Sequence, residues 1–297
     1  IASPSSEPPY KYHWVRDSAL VMRVIISEYK RYKDDKNLIY IMNYIENEYD
    51  IQNLKTLTGL GEPKIQINGK PFNEPWGRPQ NDGPALRCIN LIEIYKLLKK
   101  DYKNITENII IKMIEKDIKY IIENKDKICF DLWEEIQGWH FYTRLVQIKC
   151  LKEYISIKSD LDNYFKINID IQGFYNRYID NIKDHYEKGK GYISSFDIDG
   201  NIIRNNDASI ILAFCHISFD KEIIKHLSPN KVLFNIEQLK TYFCNKYKKN
   251  TNLIGRYPGD KYYDGHIWIL CSLALGQYYN FLINNNIDKD NLNNIKN

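Results

Sequence analysis

The sequence lacks an apolar run of the ~18 residues that a membrane-spanning helix requires, so no such helix is expected. It has no two cysteines spaced as Cys-x-x-Cys, which excludes the redox and zinc half-sites built on that spacing. It has little net charge: 42 Lys and Arg against 38 Asp and Glu leave +4, with no electrostatic footprint for nucleic acid. With 14 Gly and 10 Pro in 297 residues it is neither fibrous nor of low complexity. The six histidines (His13, His140, His185, His216, His226 and His266) contain no His-x-x-x-His pair, and there is no Gly-rich phosphate loop. No metal and no cofactor are therefore expected. The run Asp197-Ile198-Asp199-Gly200-Asn201 has the carboxylates of a calcium loop, but its Gly comes too early and no Glu closes it, so it is read as a turn.

What is present is a globular composition, 43% hydrophobic and 27% charged, with many aromatics: 24 Tyr and 5 Trp. The length allows two domains or one large one. No composition break marks a linker, so residues 1–283 are expected to form one domain, followed by a polar, Asn-rich tail over 284–297. The cysteines Cys88, Cys129, Cys150, Cys215, Cys244 and Cys271 are scattered through apolar helical stretches and are expected to be buried free thiols. The chain opens on Ile1-Ala2-Ser3-Pro4, with neither Met nor a leader pattern, which points to a removed segment or a fragment.

Apolar spacing predicts helices over 16–32, 36–49, 105–124, 138–157, 170–186, 206–217, 234–248 and 266–283. A further helix is expected to begin with Pro84 at its first position. Two hairpin turns are expected, at Asn68-Gly69 and Asp199-Gly200. About nine helices joined by short turns and long loops suggest an all-α bundle or toroid. The longest loop, 58–83, directs attention to what it carries.

Four segments combine aromatic rings, Arg and carboxylates: His13-Trp14-Val15-Arg16-Asp17, residues 74–83 from Glu74 through Trp76 to Gly83, Asp131-Leu132-Trp133-Glu134-Glu135, and Gly255-Arg256-Tyr257-Pro258. Ring faces stack on sugar C–H surfaces while Arg and carboxylates bond hydroxyl pairs, so this mixture suits a carbohydrate. Each segment also has a purely structural reading. A Glu-Glu pair can serve a helix dipole. Trp14, Trp76 and Trp133 can be packing residues. Arg16 and Asp17 can form an ion pair at a helix start, and Arg256 can cap a helix end.

In chain order the sequence carries Ala2-Ser3-Pro4-Ser5, Trp14-Val15-Arg16-Asp17-Ser18-Ala19-Leu20, Thr58-Gly59-Leu60-Gly61-Glu62-Pro63-Lys64, the string from Pro75-Trp76-Gly77-Arg78-Pro79-Gln80-Asn81-Asp82-Gly83 to Arg87, Asp131-Leu132-Trp133-Glu134-Glu135, Asn206-Asp207-Ala208 and Gly255-Arg256-Tyr257-Pro258-Gly259-Asp260. With these it resembles the starch-hydrolysing glucoamylases, glycoside hydrolase family 15. The resemblance implies an (α/α)6 toroid. It also implies an exo-acting, inverting release of β-D-glucose from the non-reducing ends of α-1,4-glucans, by a monomer whose partner is the glucan. Glu134 then corresponds to the general acid, bordered by Trp133 and Trp76. Arg16 and Asp17 grip the terminal glucose, and the Leu132 carbonyl, Glu135 and Arg256 complete the substrate contacts. A secreted or vacuolar location is weakly implied, together with the sequon Asn104-Ile105-Thr106.

The sequence also departs from that family. No residue matches the second catalytic carboxylate, so the general base is expected to be absent from the chain. The first helix of the toroid and the last few are expected to be missing, since nine helices fall short of twelve. Gly265-His266-Ile267-Trp268 stands where Gly-Asn-Pro-Trp is usual. An incomplete catalytic domain with little or no activity is the expectation. The alternative is a glucan-binding or regulatory paralogue that kept the sugar pocket.

Overall fold

The computed structural model describes residues 10–165, 167, 169–285 and 287. The Ala2-Ser3-Pro4-Ser5 string and residues 286 and 288–297 of the tail lie outside them. Two compact units are formed, one from 1–137 and 149–175, the other from 138–148 and 176–297. Among the described residues no helix is long and apolar enough to cross a membrane.

The first unit is built around a buried helix. Helix α1 (Val15–Tyr32) is followed by α2 (Asp35–Asn53), whose N-cap Asp34 accepts the Asn37 N–H at 2.8 Å. Helix α3 (Asp82–Leu98) buries every residue except Glu93, Lys96 and Leu97, so it is apolar on all sides and must be surrounded. It packs against α1 and against α5 (Ile111–Glu123), which follows the one-turn α4 (Lys103–Ile105) and a π-turn at Thr106–Ile110. On α5 the isoleucines at 111, 114, 118, 121 and 122 are buried at helical spacing. Pro84 is the third residue of α3, not its first. Any position in the first turn tolerates proline, because none of those N–H groups has an intrahelical acceptor.

Charge is buried in this unit as well. Arg87 is 1% exposed and donates to both oxygens of Asp117, at 3.0 and 2.6 Å, and to Glu48 at 3.3 Å. Glu48 also accepts the Ser18 hydroxyl at 3.0 Å and lies 2.9 Å from the His13 ring. The network thus pins α1, α2, α3 and α5 through one guanidinium. A short antiparallel pair joins Tyr12–Trp14 to Lys64–Gln66, with Trp14 opposite Lys64. The Asn68-Gly69 turn forms as expected, with Gly69 at φ +78° and Ile65 bridged to Pro71.

In the second unit, Trp139 and His140 pair with Phe196 and Ser195, and Ser195–Phe196 pairs with Ile202–Arg204. The helix expected over 138–157 therefore begins later: α6 spans Phe141–Leu161, and strand Gln137–His140 precedes it. Gly138 permits this pairing, since a Cβ there would sit 2.2 Å from the Phe196 carbonyl. Residues 149–161 of α6 and 171–175 of helix α7 (Ile171–Lys183) are counted with the first unit; α8 (Ser209–His216), the short α9 (Lys221–Ile224), α10 (Pro229–Tyr247) and α11 (Ile269–Asn284) lie wholly in the second. Helix α10 starts five residues earlier than its apolar spacing indicates, because Pro229 supplies the preset φ of a first helical position. Phe141, Tyr192, Phe214 and Tyr278 form the aromatic core, with centroids 5.0 to 6.0 Å apart. The Asp199-Gly200 turn also forms, its Asp197 carboxylate taking the N–H groups of Asp199 and Asn201. All six cysteines are free thiols, and all but the half-buried Cys244 are buried.

Removing the buried guanidinium tests how far the first unit depends on it. Arg87→Ala leaves Glu48 and Asp117 facing each other without a counter-charge, and urea unfolding is expected to show a loss of ~3–5 kcal/mol. A variant as stable as the parent would show that the network is not structural.

Candidate active site

Glu134 sits in a turn, not at a helix start. Its N–H donates to the Asp131 carbonyl at 2.9 Å, and the Asp131 carboxylate takes the N–H groups of Glu135 and Ile136 at 2.8 and 3.2 Å. The helix-dipole reading of the Glu134-Glu135 pair is therefore corrected: buried Asp131 caps a turn between the short strands Cys129–Phe130 and Gln137–His140. In that turn Glu134 has φ +67°. A non-glycine residue in the left-handed region costs about 1–3 kcal/mol, and such strain gathers at functional sites.

The side chain of Glu134 is 14% exposed and saturated with donors. Trp14 Nε1 donates to Oε1 at 3.0 Å and Trp76 Nε1 to Oε2 at 2.8 Å. Gln80 Nε2 donates to Oε1 at 3.0 Å, and Arg16 lies 3.5 Å from the same oxygen. Burial raises the Glu134 carboxyl above the usual carboxylate range; Arg16 and the three N–H donors pull it back only in part. A carboxyl that keeps its proton longer than usual, with one edge open to solvent, is suited to give that proton to a leaving group.

Arg16 is aimed at this carboxyl by partners at the entry to α3. Its guanidinium donates to the Asp82 carboxylate at 2.7 Å and to the Gln80 side-chain oxygen Oε1 at 2.9 Å. The helix-start ion pair between Arg16 and Asp17 does not form. Adjacent residues on a helix do not share a face, and Asp17 is exposed while Arg16 is buried. Trp76, 37% exposed, forms the rim of the site. Gly77 must be glycine, since a Cβ would lie 2.7 Å from the Glu134 carbonyl. Leu132 is buried, Trp133 half-buried and Glu135 exposed, all within the same turn. Arg256 belongs to the other unit. There it is 3% exposed, bidentate with Asp260 at 2.8 and 2.6 Å, and ringed by Tyr257, Tyr262 and Trp268 at 5.0–5.2 Å. Its carbonyl receives the N–H of Ala208, the residue that precedes α8, at 2.7 Å, joining two of the sequence motifs.

The structure thus brings Glu134, Arg16 and Trp76 together. It adds Trp14, Gln80, Asp82 and Lys64, for which no individual role in the site was legible in the sequence although each lies in a motif that carries the resemblance. Among the described residues no group of three His, Cys, Asp or Glu is placed to hold a metal ion.

The model of the family described as Glycosyl hydrolases family 15 matches residues 1–288. Glucoamylase-1 of Arthroderma benhamiae is 32% identical over 93% of this chain and 47% of its own length. The probable glucoamylase of Schizosaccharomyces pombe is 30% identical over 93% of the chain and 63% of its own. The solved family 15 glucoamylase of Hypocrea jecorina superposes with a TM-score of 0.82 at 30% identity, covering 94% of this chain and 49% of that one. The chain spans about half the length of the curated relatives it matches.

Trp76→Phe keeps the ring at the rim but deletes one of the donors to Glu134. Its carboxyl is expected to titrate roughly one unit higher, followed by carbon NMR of glutamate-labelled protein with Glu134→Gln identifying the signal. An unchanged titration would show that the 2.8 Å contact does not bear on the carboxylate.

Proposed function

This chain belongs to glycosyl hydrolases family 15, and on that premise we propose that it serves as a glucoamylase. The reading is exo-acting, inverting release of β-D-glucose from the non-reducing ends of α-1,4-glucans. One observation carries it: Glu134, strained at φ +67°, is wedged between two indole donors, an amide and a guanidinium, and burial raises its carboxyl. In this reading Glu134 is the general acid that protonates the glycosidic oxygen. Trp76 and Trp133 provide faces on which a pyranose stacks. Arg16 and Asp17 take the hydroxyls of the terminal glucose, and the Leu132 carbonyl and Glu135 receive the leaving-group side. Arg256, charge-paired with Asp260, is assigned a substrate contact by the resemblance alone. The partner is the α-glucan, and the working form is a monomer.

An inverting pair also needs a carboxylate roughly 6.5–9.5 Å from the acid, with room for water between them. Three carboxylates of the unit that holds Glu134 are committed elsewhere: Asp82 to Arg16, Glu62 to Arg78, Asp131 to its turn. The proposal therefore assigns acid catalysis and sugar binding to these residues, and no residue to the activation of water. Loss of a general base costs ~10²–10⁴-fold in rate, so slow turnover is expected of this chain.

Proton NMR of maltose incubated with the chain tests the reading through the anomeric signals. The first glucose to appear is expected to be β, and Glu134→Gln is expected to abolish it. Initial α-glucose, or turnover unaffected by Glu134→Gln, would overturn the assignment. The pH dependence follows from the protonation state. Activity requires the protonated carboxyl, is present below the raised Glu134 pKa, and falls as pH rises through it; the alkaline limb of kcat is expected above the ordinary carboxylate range.

A further inference from the structure

The Thr58–Lys64 motif contributes a charge that the reading above leaves unused. Lys64 is 2% exposed, and among the described residues no carboxylate lies within salt-bridge distance of its ammonium. Ring faces surround it instead. Its Nζ lies 3.2 Å from the centroid of Trp76, 4.1 Å from Phe72, 4.3 Å from Tyr12 and 5.2 Å from Trp14. Two of those rings are the ones whose indole N–H groups bind the two oxygens of Glu134. A cation on the face of an indole draws electron density from the ring, which makes the N–H at its edge a stronger donor.

We propose that Lys64 is a positioning residue for the acid, its ammonium strengthening the Trp76 and Trp14 hydrogen bonds to Glu134 together. The inference rests on reading Glu134 as the acid. The ladder between Tyr12–Trp14 and Lys64–Gln66 fixes the geometry, since Trp14 and Lys64 are opposite partners in it. The other charges nearby do not replace this effect. Glu62 is paired with Arg78 at 2.8 Å, and Arg16 is paired with Asp82 at 2.7 Å. Burial lowers the Lys64 ammonium to about 8, with Glu134 opposing the drop. The two groups therefore sense each other's charge, and the support given to the carboxylate is withdrawn as pH rises through that value.

The test reads the donors and the carboxyl directly, without turnover. In nitrogen–proton spectra the indole N–H signals of Trp14 and Trp76 are identified with Trp14→Phe and Trp76→Phe. In Lys64→Met both signals are expected to move upfield, and the Glu134 titration to rise by roughly half a unit or more. Lys64→Arg, which keeps the charge, is expected to restore both. If a folded Lys64→Met leaves the signals and the titration where they were, the proposal is overturned, even if substrate KM changes. Should Lys64→Met fail to fold, the parent protein decides: both indole signals are expected to follow the Lys64 amine through one step near pH 8, and no such step would overturn the proposal. A failure of Glu134 as the acid would show instead as glucose release that survives Glu134→Gln, with these spectra unchanged.

Discussion

A guanidinium leaves water only at a cost of several kcal/mol unless its donors are satisfied, and Arg16 is buried. That requirement organises the site. Asp82, the first residue of α3, and Gln80, on the loop that leads into it, answer it. The loop must therefore pass close to the start of α1, and in doing so it carries Trp76 and Gly77 against the turn that holds Glu134. Glu134 is drawn to the same guanidinium at the longer distance of 3.5 Å. Asp82 takes the close contact, which leaves Glu134 under-compensated and its carboxyl raised by burial.

The environment of Glu134 balances opposing effects. Desolvation favours the protonated form; three N–H donors and a cation favour the ionised one. A carboxyl that must hold a proton and then release it during one reaction is served by such a balance, because neither state is far below the other. The left-handed backbone at Glu134 shows that the position is imposed by its surroundings. Asp131 closes the turn from within, and the donors from Trp14, Trp76 and Gln80 hold the side chain from outside.

Behind this site the first unit carries a second charged assembly, Arg87 with Asp117 and Glu48. His13 reaches Glu48, while Trp14, the next residue along the strand, reaches Glu134. Neighbouring side chains of a strand point to opposite faces, so one short strand is anchored in the core by one residue and serves the site with the next.

Most helices were legible in the sequence because burying one face imposes a 3.6-residue period, and both turns were legible from Asn68-Gly69 and Asp199-Gly200. The late start of α6 has a long-range cause. Residues 138–140 continue an apolar helical pattern but are taken by strand pairing with Ser195 and Phe196, a partner more than fifty residues away. The motifs that match family 15 likewise fixed which carboxylate to examine. The sequence could not show that Arg16 turns from its neighbour Asp17 to Asp82, that Glu134 stands in a strained turn instead of a helix, or that Lys64 lies against the two rings that hold the Glu134 carboxylate. Period and motif are properties of adjacent residues, so the chain alone determines them. Which distant donor satisfies a buried charge depends on what the fold brings within hydrogen-bonding reach, and only the tertiary structure decides that.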